Sequence, residues 1–286
     1  MTIDFSGLHI AVVGSLNLDI VARVPRFPRP GETLSGARVT RFPGGKGGNQ
    51  ALAAHRLGAR VTMLACIGDD PAAAEATASL RAEGVLLDRV QTIKGESTGL
   101  ALICVTDEGE NQIVVAPGAN AAFDAGLLNL PECDAVIAQL EVPLETVVEA
   151  ASRHRGLFCL NAAPARPVSK DLLDHVDLLV VNEIESEAIG EALNGFQGIL
   201  ATTLGARGAR LSRQGQVLAQ AEPPRIRAVD TTGAGDAFTA ALTVCLAAGM
   251  PHPEALQMAC NAGALTATRD GAQSSPSAAE LAAVQS

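Results

Sequence analysis

Along this chain, short continuous apolar runs alternate with stretches of helical spacing. Leu8-His9-Ile10-Ala11-Val12-Val13-Gly14 is almost wholly apolar and ends in glycine. Such a run reads as a strand buried on both faces, as in a parallel sheet. Runs of the same kind recur at 61–67, 135–140, 157–160, 178–181 and 199–204. Between them the spacing predicts helices over 48–57, 72–83, 144–154 and 183–193, and a buried apolar helix over 237–249. The alternation predicts an α/β fold, doubly wound, with a mostly parallel central sheet and helices on both faces.

Two stretches break the rhythm. Residues 17–42 are extended in character and punctuated by Pro25, Pro28, Pro30, Gly31 and Gly36. Residues 98–106 and 112–116 are β-type runs flanking Asp107-Glu108-Gly109-Glu110, a hairpin signal. Both inserts follow strand ends of the α/β body, where ligands bind in such sheets. They predict a small β-sheet lid, built from about 16–43 and 96–118, on a single domain spanning 1–286. The last dozen residues, rich in Ala, Ser and Gln, read as loosely held.

Composition narrows the partners. Aromatics are 2% with no Trp or Tyr, so the core is aliphatic and a base-stacking platform is disfavoured. Lys and Arg number 21 against 31 Asp and Glu, a net charge of −10, which disfavours nucleic acid and anionic membranes as partners. A small anion needs only a local positive pocket. The six cysteines have no C-x-x-C pair and no zinc spacing, and Cys66, Cys104, Cys159 and Cys245 sit in apolar strings. They read as reduced thiols of a cytoplasmic protein. No apolar run reaches membrane-spanning length, and the N-terminus has no leader pattern.

Two strings carry candidate chemistry. Asp230-Thr231-Thr232-Gly233-Ala234-Gly235-Asp236-Ala237-Phe238 opens the long apolar helix. Glycines at a helix start leave N–H groups accessible, with the positive end of the helix dipole behind them, and so form an anion site. Asp236 is either an ordinary first-turn carboxylate or a base for a hydroxyl that attacks phosphorus. Pro43-Gly44-Gly45-Lys46-Gly47-Gly48-Asn49-Gln50-Ala51 precedes a helix and offers a cation and an amide fork among glycines. Neither string is a Walker A loop or a dinucleotide fingerprint, which argues against a nicotinamide-dependent oxidoreductase.

Together these strings resemble the two signature motifs of the ribokinase-like (PfkB-type) carbohydrate kinases, and Gly14-Ser15-Leu16-Asn17-Leu18-Asp19 is similar to that family's opening motif. Arg29-Pro30-Gly31-Glu32-Thr33 and residues 107–120 resemble its ribose-phosphorylating branch. The resemblance implies ATP-dependent phosphorylation of D-ribose at O5. Asp236 would take the proton, and the N–H groups of Gly233, Ala234 and Gly235 would cradle the phosphoryl group. By resemblance, Asn17, Asp19, Gly44, Gly45, Lys46, Asn49, Glu141 and Asp236 bind the sugar. Asn182, Thr203, Leu204, Gly205, Ala206, Arg207, Gly208 and Gly235 bind ATP. Glu185 holds magnesium through water. Asp230, Thr232, Thr266, Arg269, Gly271 and Ser275 hold an activating potassium ion. A homodimer through the lid is also implied. Family kinases for deoxyribose, fructose or a nucleoside, and a non-catalytic sugar or nucleotide sensor, are the alternatives.

Three features depart from the family pattern. Thr239 stands where many relatives have Asn, and Cys260 where they have His or Asn near adenine. The 194–200 span is short, which implies a lost or trimmed helix.

Overall fold

The computed structural model describes residues 4–284. The chain opens on β1 (His9–Val13), runs on into β2 (Asn17–Val24), and returns as β3 (Arg38–Gly44) before α1 (Lys46–Arg56). Then come β4 (Arg60–Gly68), α2 (Pro71–Ala76), α3 (Ala78–Glu83) and β5 (Leu86–Ile93). β6 (Gly99–Thr106) and β7 (Asn111–Ala116) form a hairpin. β8 (Ala135–Ala138), α4 (Leu144–Arg153), β9 (Leu157–Asn161), α5 (Lys170–Leu173), β10 (Leu178–Val181), α6 (Glu183–Ile189) and β11 (Ile199–Thr203) alternate. β12 (Ala209–Arg213), β13 (Gln216–Ala221), α7 (Ala234–Ala247), α8 (His252–Thr266) and α9 (Ala278–Val284) complete the described elements.

The large sheet runs β13-β12-β11-β10-β9-β8-β1-β4-β5. It is parallel from β5 to β11 and antiparallel at its β12–β13 edge. β1 lies between β4 and β8 with Ile10 to Val13 fully buried, as its unbroken apolar run requires. Two apolar clusters lie on opposite faces of the sheet. Ile10, Val12 and Ile137 pack with α1, α7 and α8, while Ala11, Val13 and Val136 pack with α4 and α5. α7 is apolar all round because sheet, α1 and α8 enclose it. Its two buried threonines are satisfied within the helix, Thr239 Oγ1 donating to Gly235 O and Thr243 Oγ1 to Thr239 O, each at 2.8 Å.

The second sheet, β3-β2-β6-β7, is made from the two inserts, with β2 and β6 parallel and the outer pairs antiparallel. Register puts Asp19, Phe42, Ala101 and Val115 on one face. On the other lie Ile20, Val39, Leu102 and Val114, of which Val39 is 59% exposed and Val114 66%.

Three expectations are corrected, and three strands were not foreseen. The helix expected over 72–83 is two, because Thr77 turns its hydroxyl back onto Ala73 O at 2.8 Å and adopts φ −101, ψ −1 between them. The helix expected over 183–193 stops at Ile189 where Gly190 takes φ +61, and a tight turn over Gly190–Gly195 replaces its end. β5, β12 and β13 carry interspersed polar residues and are half-exposed, so they lack the apolar signature of the inner strands. The tail is held: Ser277 N donates to Glu280 Oε2 at 2.8 Å, Arg269 pairs with Glu280, and Leu281 is buried in α9. Its last two residues, 285 and 286, lie outside the described residues.

Candidate functional site

The loops at the C-terminal ends of β1, β8, β9, β10 and β11 converge with the first turns of α1, α6 and α7. At α1, a β-carbon on Gly47 would lie 2.6 Å from Ser15 N, so only glycine lets the helix start press against the β1–β2 junction. That contact fixes where α1 begins, and with it the positions of Lys46, Asn49 and Gln50. Asn120 pins the junction from the other side, accepting from Leu16 N at 2.9 Å and donating to Asn17 Oδ1 at 2.8 Å.

Three carboxyls gather beneath the small sheet. Asp19 is buried, and burial, with the charges of Glu141 and Asp236 added, pushes it up to about 7. Glu141 accepts from Lys46 N at 3.0 Å and from Ser15 Oγ. Asp236 accepts from Asn49 Nδ2 and Gln50 Nε2, each at 2.8 Å. Burial alone would lower the Lys46 ammonium, but Asp236, Glu141 and Glu185 outweigh it and its pKa is raised. The result is a cation among carboxylates with amide donors alongside, an arrangement suited to a polyol.

On the far side of Asp236 a cavity of about 640 Å³ begins at Gly235. Thr203, Gly205, Ala206, Gly208, Thr231 and Ala234 line one part of it, while Pro223, Pro224, Ile226, Phe238, Cys260 and Ala264 line the rest. Leu204, Arg207 and Asn182 are not in its wall, and Arg207 pairs with Glu183 at 2.7 Å on the surface. Cys260 is in the wall, a buried thiol that burial pushes up to about 11. The first turn of α7 faces this cavity. Ala234 N–H already donates to Thr231 O at 3.2 Å, so the amides of Gly235 and Asp236 remain to meet an anion. A β-carbon on Gly235 would meet nothing within 4 Å, so the cavity opens directly onto that turn.

Asn182 and Glu185 form a reciprocal cap on α6, Asn182 Oδ1 accepting from Glu185 N and Glu185 Oε2 from Asn182 N, each at 2.8 Å. Burial raises Glu185, opposed by the Asn182 bond and by Lys46. Its other oxygen takes no donor from the described residues, which suits a hydrated divalent ion. Asp230 bridges two loops, accepting from Thr232 N at 2.9 Å, Thr232 Oγ1 at 2.6 Å and Gly271 N at 3.0 Å. Burial would raise it, but those three bonds and the charge of Arg23 hold it low. Thr266 O and Arg269 belong to the adjoining turn, where Arg269 N donates to Thr266 O at 3.1 Å. These bonds tie the 230–232 turn to the 266–271 turn. Ser275 O and Oγ both accept from Arg56 Nη1, at 2.9 and 3.3 Å, and the neighbouring Ser274 Oγ donates to Thr266 O at 3.3 Å. Among the described residues no three His, Cys, Asp or Glu side chains form a metal cluster, and all six cysteines are free.

Gln50, Asn120, Gln139 and Asn161, all buried, are absent from the residues expected at the site. Their one signal was position: Gln139 and Asn161 are polar amides at the ends of apolar runs, and Gln50 lies inside the glycine-rich string.

Similarity to known proteins agrees with this architecture. The sequence pattern of the pfkB family carbohydrate kinases matches residues 8–279. The ribokinase of Bacillus subtilis is 39% identical over 280 residues, 93% of this chain and 94% of the relative. The crystal structure of ribokinase from Thermotoga maritima superposes with a TM-score of 0.88 at 33% identity, covering 97% of this chain and 99% of that one. The Arabidopsis thaliana ribokinase complexed with ribose and ATP gives a TM-score of 0.86 at 30% identity, covering 97% and 98%. This chain belongs to the pfkB family of carbohydrate kinases.

Proposed function

We propose that the protein transfers the γ-phosphoryl group of ATP to O5 of D-ribose, giving D-ribose 5-phosphate and ADP. One observation carries the reading: Asp236 stands where the apolar cavity ends at Gly235 and the carboxyl and amide cluster of Asp19, Asn49 and Glu141 begins. A hydroxyl bound on one side and a triphosphate on the other would meet at its carboxylate.

In this reading Asn17, Asp19, Lys46, Asn49 and Glu141 hold the sugar, with Gly44 and Gly45 shaping the cleft. Asp236 accepts the O5 proton as O5 attacks phosphorus, and the bond from phosphorus to the β-phosphate oxygen breaks. The amides of Gly233, Gly235 and Asp236 face the negative charge that develops, in a site where they need no reorganisation. Thr203, Gly205, Ala206 and Gly208 line the nucleoside cavity. Glu185 would hold hydrated magnesium, which neutralises phosphate charge when bound. Asp230, Thr232, Thr266, Arg269, Gly271 and Ser275 would hold a potassium ion, a fixed charge tying two loops beside α7. The bare apolar face of the small sheet would be covered by a second copy of the chain, and the described helices offer no membrane span.

The test is ADP release with magnesium-ATP and potassium across D-ribose, 2-deoxyribose, fructose, adenosine and no sugar. Ribose is expected to lead by more than about tenfold in kcat/KM, about 1.4 kcal/mol of discrimination. Asp236→Ala is expected to lose about 10²- to 10⁴-fold in kcat. A different leading sugar replaces the substrate and keeps the mechanism. Absent turnover, with ribose or ATP still raising Tm, replaces the enzyme with a sensor.

A further inference from the structure

We propose that Gln50 is a positioning residue for Asp236, a buried amide that fixes the carboxylate without touching either substrate. The proposal rests on the reading of Asp236 as the base. Asn49 and Gln50 are consecutive on α1, and each takes one carboxylate oxygen of Asp236, Asn49 Nδ2 on Oδ2 and Gln50 Nε2 on Oδ1. The two amides are held very differently. Gln50 is 0% exposed, so no ligand reaches it. Its Nε2 also donates to Asn161 Oδ1 at 3.0 Å, and its Oε1 accepts from Gln139 Nε2 at 2.6 Å. Asn161 Nδ2 donates onward to Val180 O at 3.4 Å. Both hydrogens and the carbonyl of the Gln50 amide are therefore engaged, and its orientation is settled by partners at the ends of β8 and β9, backed by β10. Asn49 is the opposite case. Its Oδ1 is buried with no partner, so only one end of its amide is held.

Neighbouring residues thus divide the work. Asn49 can exchange its bonds when a hydroxyl arrives, while Gln50 keeps Oδ1 where it is. Neutral amides suit that task because they neither take the transferred proton nor add charge. Charge reaches Asp236 from other elements, Lys46 on α1, Asp19 on β2 and Glu185 on α6. Gln50 adds direction. In reactions that depend on alignment, a displacement of about 1 Å costs about 10²-fold.

The test compares wild type, Gln50→Leu and Gln50→Glu as full chains, measuring kcat, both KM values and the acid limb of the pH profile. For Gln50→Leu, kcat is expected to fall about 10- to 100-fold, with KM for ribose and ATP changed by less than about threefold. Its acid limb should move to higher pH, because a donor to the ionised carboxylate is gone. Gln50→Glu keeps an acceptor for Gln139 but sets a second carboxyl against Asp236. Its acid limb should move further, with activity partly recovered at alkaline pH. A Gln50 that is merely structural would lower Tm and leave kcat and the acid limb of the folded enzyme unchanged, which overturns the proposal. A loss confined to the ribose KM overturns it too, since Gln50 would then be a substrate contact. Should wild type phosphorylate no sugar, the reading of the site fails by itself. Gln50 is then judged by the carbon-13 carboxyl resonance of Asp236, assigned with Asp236→Asn. Its titration midpoint should rise in Gln50→Leu, and an unchanged midpoint refutes the proposal.

Discussion

Burial sets Asp19 apart from an ordinary carboxyl, and with Glu141 and Asp236 nearby it titrates near 7. The folded chain therefore binds this proton more tightly than the unfolded chain does. Asp19 contributes stability that is fully present below about pH 4 and lost as pH rises through about 7. Thermal scans of wild type and Asp19→Asn should diverge accordingly, the variant gaining on wild type between about pH 4 and pH 7. Ribose hydroxyls that donate to the ionised carboxylate would reverse the loss, so the ribose-induced rise in Tm should be larger at about pH 8 than at pH 6. That difference should vanish in Asp19→Asn. An equal ribose response at both values in wild type would remove Asp19 from the sugar site. At this scale the charged residues were legible through the motifs that resemble the family's, because a carboxylate in a strand-end or first-turn string has bland uses of its own. The amides were not. Gln50 meets Asn161 and Asp236 across 111 and 186 residues of sequence, and a neutral side chain carries no charge pattern to announce either meeting.

Helix α7 shows how an element is aimed. Gly233 takes φ +79 at its start, and a β-carbon there would lie 2.2 Å from Ala272 O, a backbone atom that cannot step aside. Gly233→Ala should destabilise the fold by about 2 kcal/mol or more, seen as a fall in Tm of about 4–8 °C. Gly235→Ala is the contrast, since its added methyl meets only the open cavity. That variant should melt like wild type and raise the ATP KM about tenfold or more by obstructing the phosphate turn. Equal Tm losses in both would mean that neither glycine is set by its surroundings. Buried parallel strands such as β1 and β10 announce themselves by unbroken apolar runs, and these were legible. Edge strands meet water on one side, and their mixed pattern hides them. The break between α2 and α3 was hidden for another reason, since a threonine folding back on its own helix leaves no trace in hydrophobic spacing.

At the scale of the whole molecule, the small sheet leaves Val39, Leu102 and Val114 bare on the face turned away from Asp19. A row of aliphatic side chains on a four-stranded sheet gains by meeting another such row. Light scattering should find a dimer in wild type and a monomer in Leu102→Asp/Val114→Asp; a wild-type monomer rejects the proposed pairing. The order of motifs along the chain was enough to foresee a doubly wound body with a small sheet beside it. It was not enough to foresee the distances between motif halves. Asn49 and Asp236 touch across 187 residues. At ordinary ribosomal rates that interval takes roughly 10–40 s to synthesise. Glu141 is made about midway through it, and from there until residue 236 the sugar-side half of the cleft exists without its base and without the first turn of α7. A nascent chain of this protein can therefore gather its sugar ligands early, yet it acquires the means to consume ATP only as its C-terminal helices emerge.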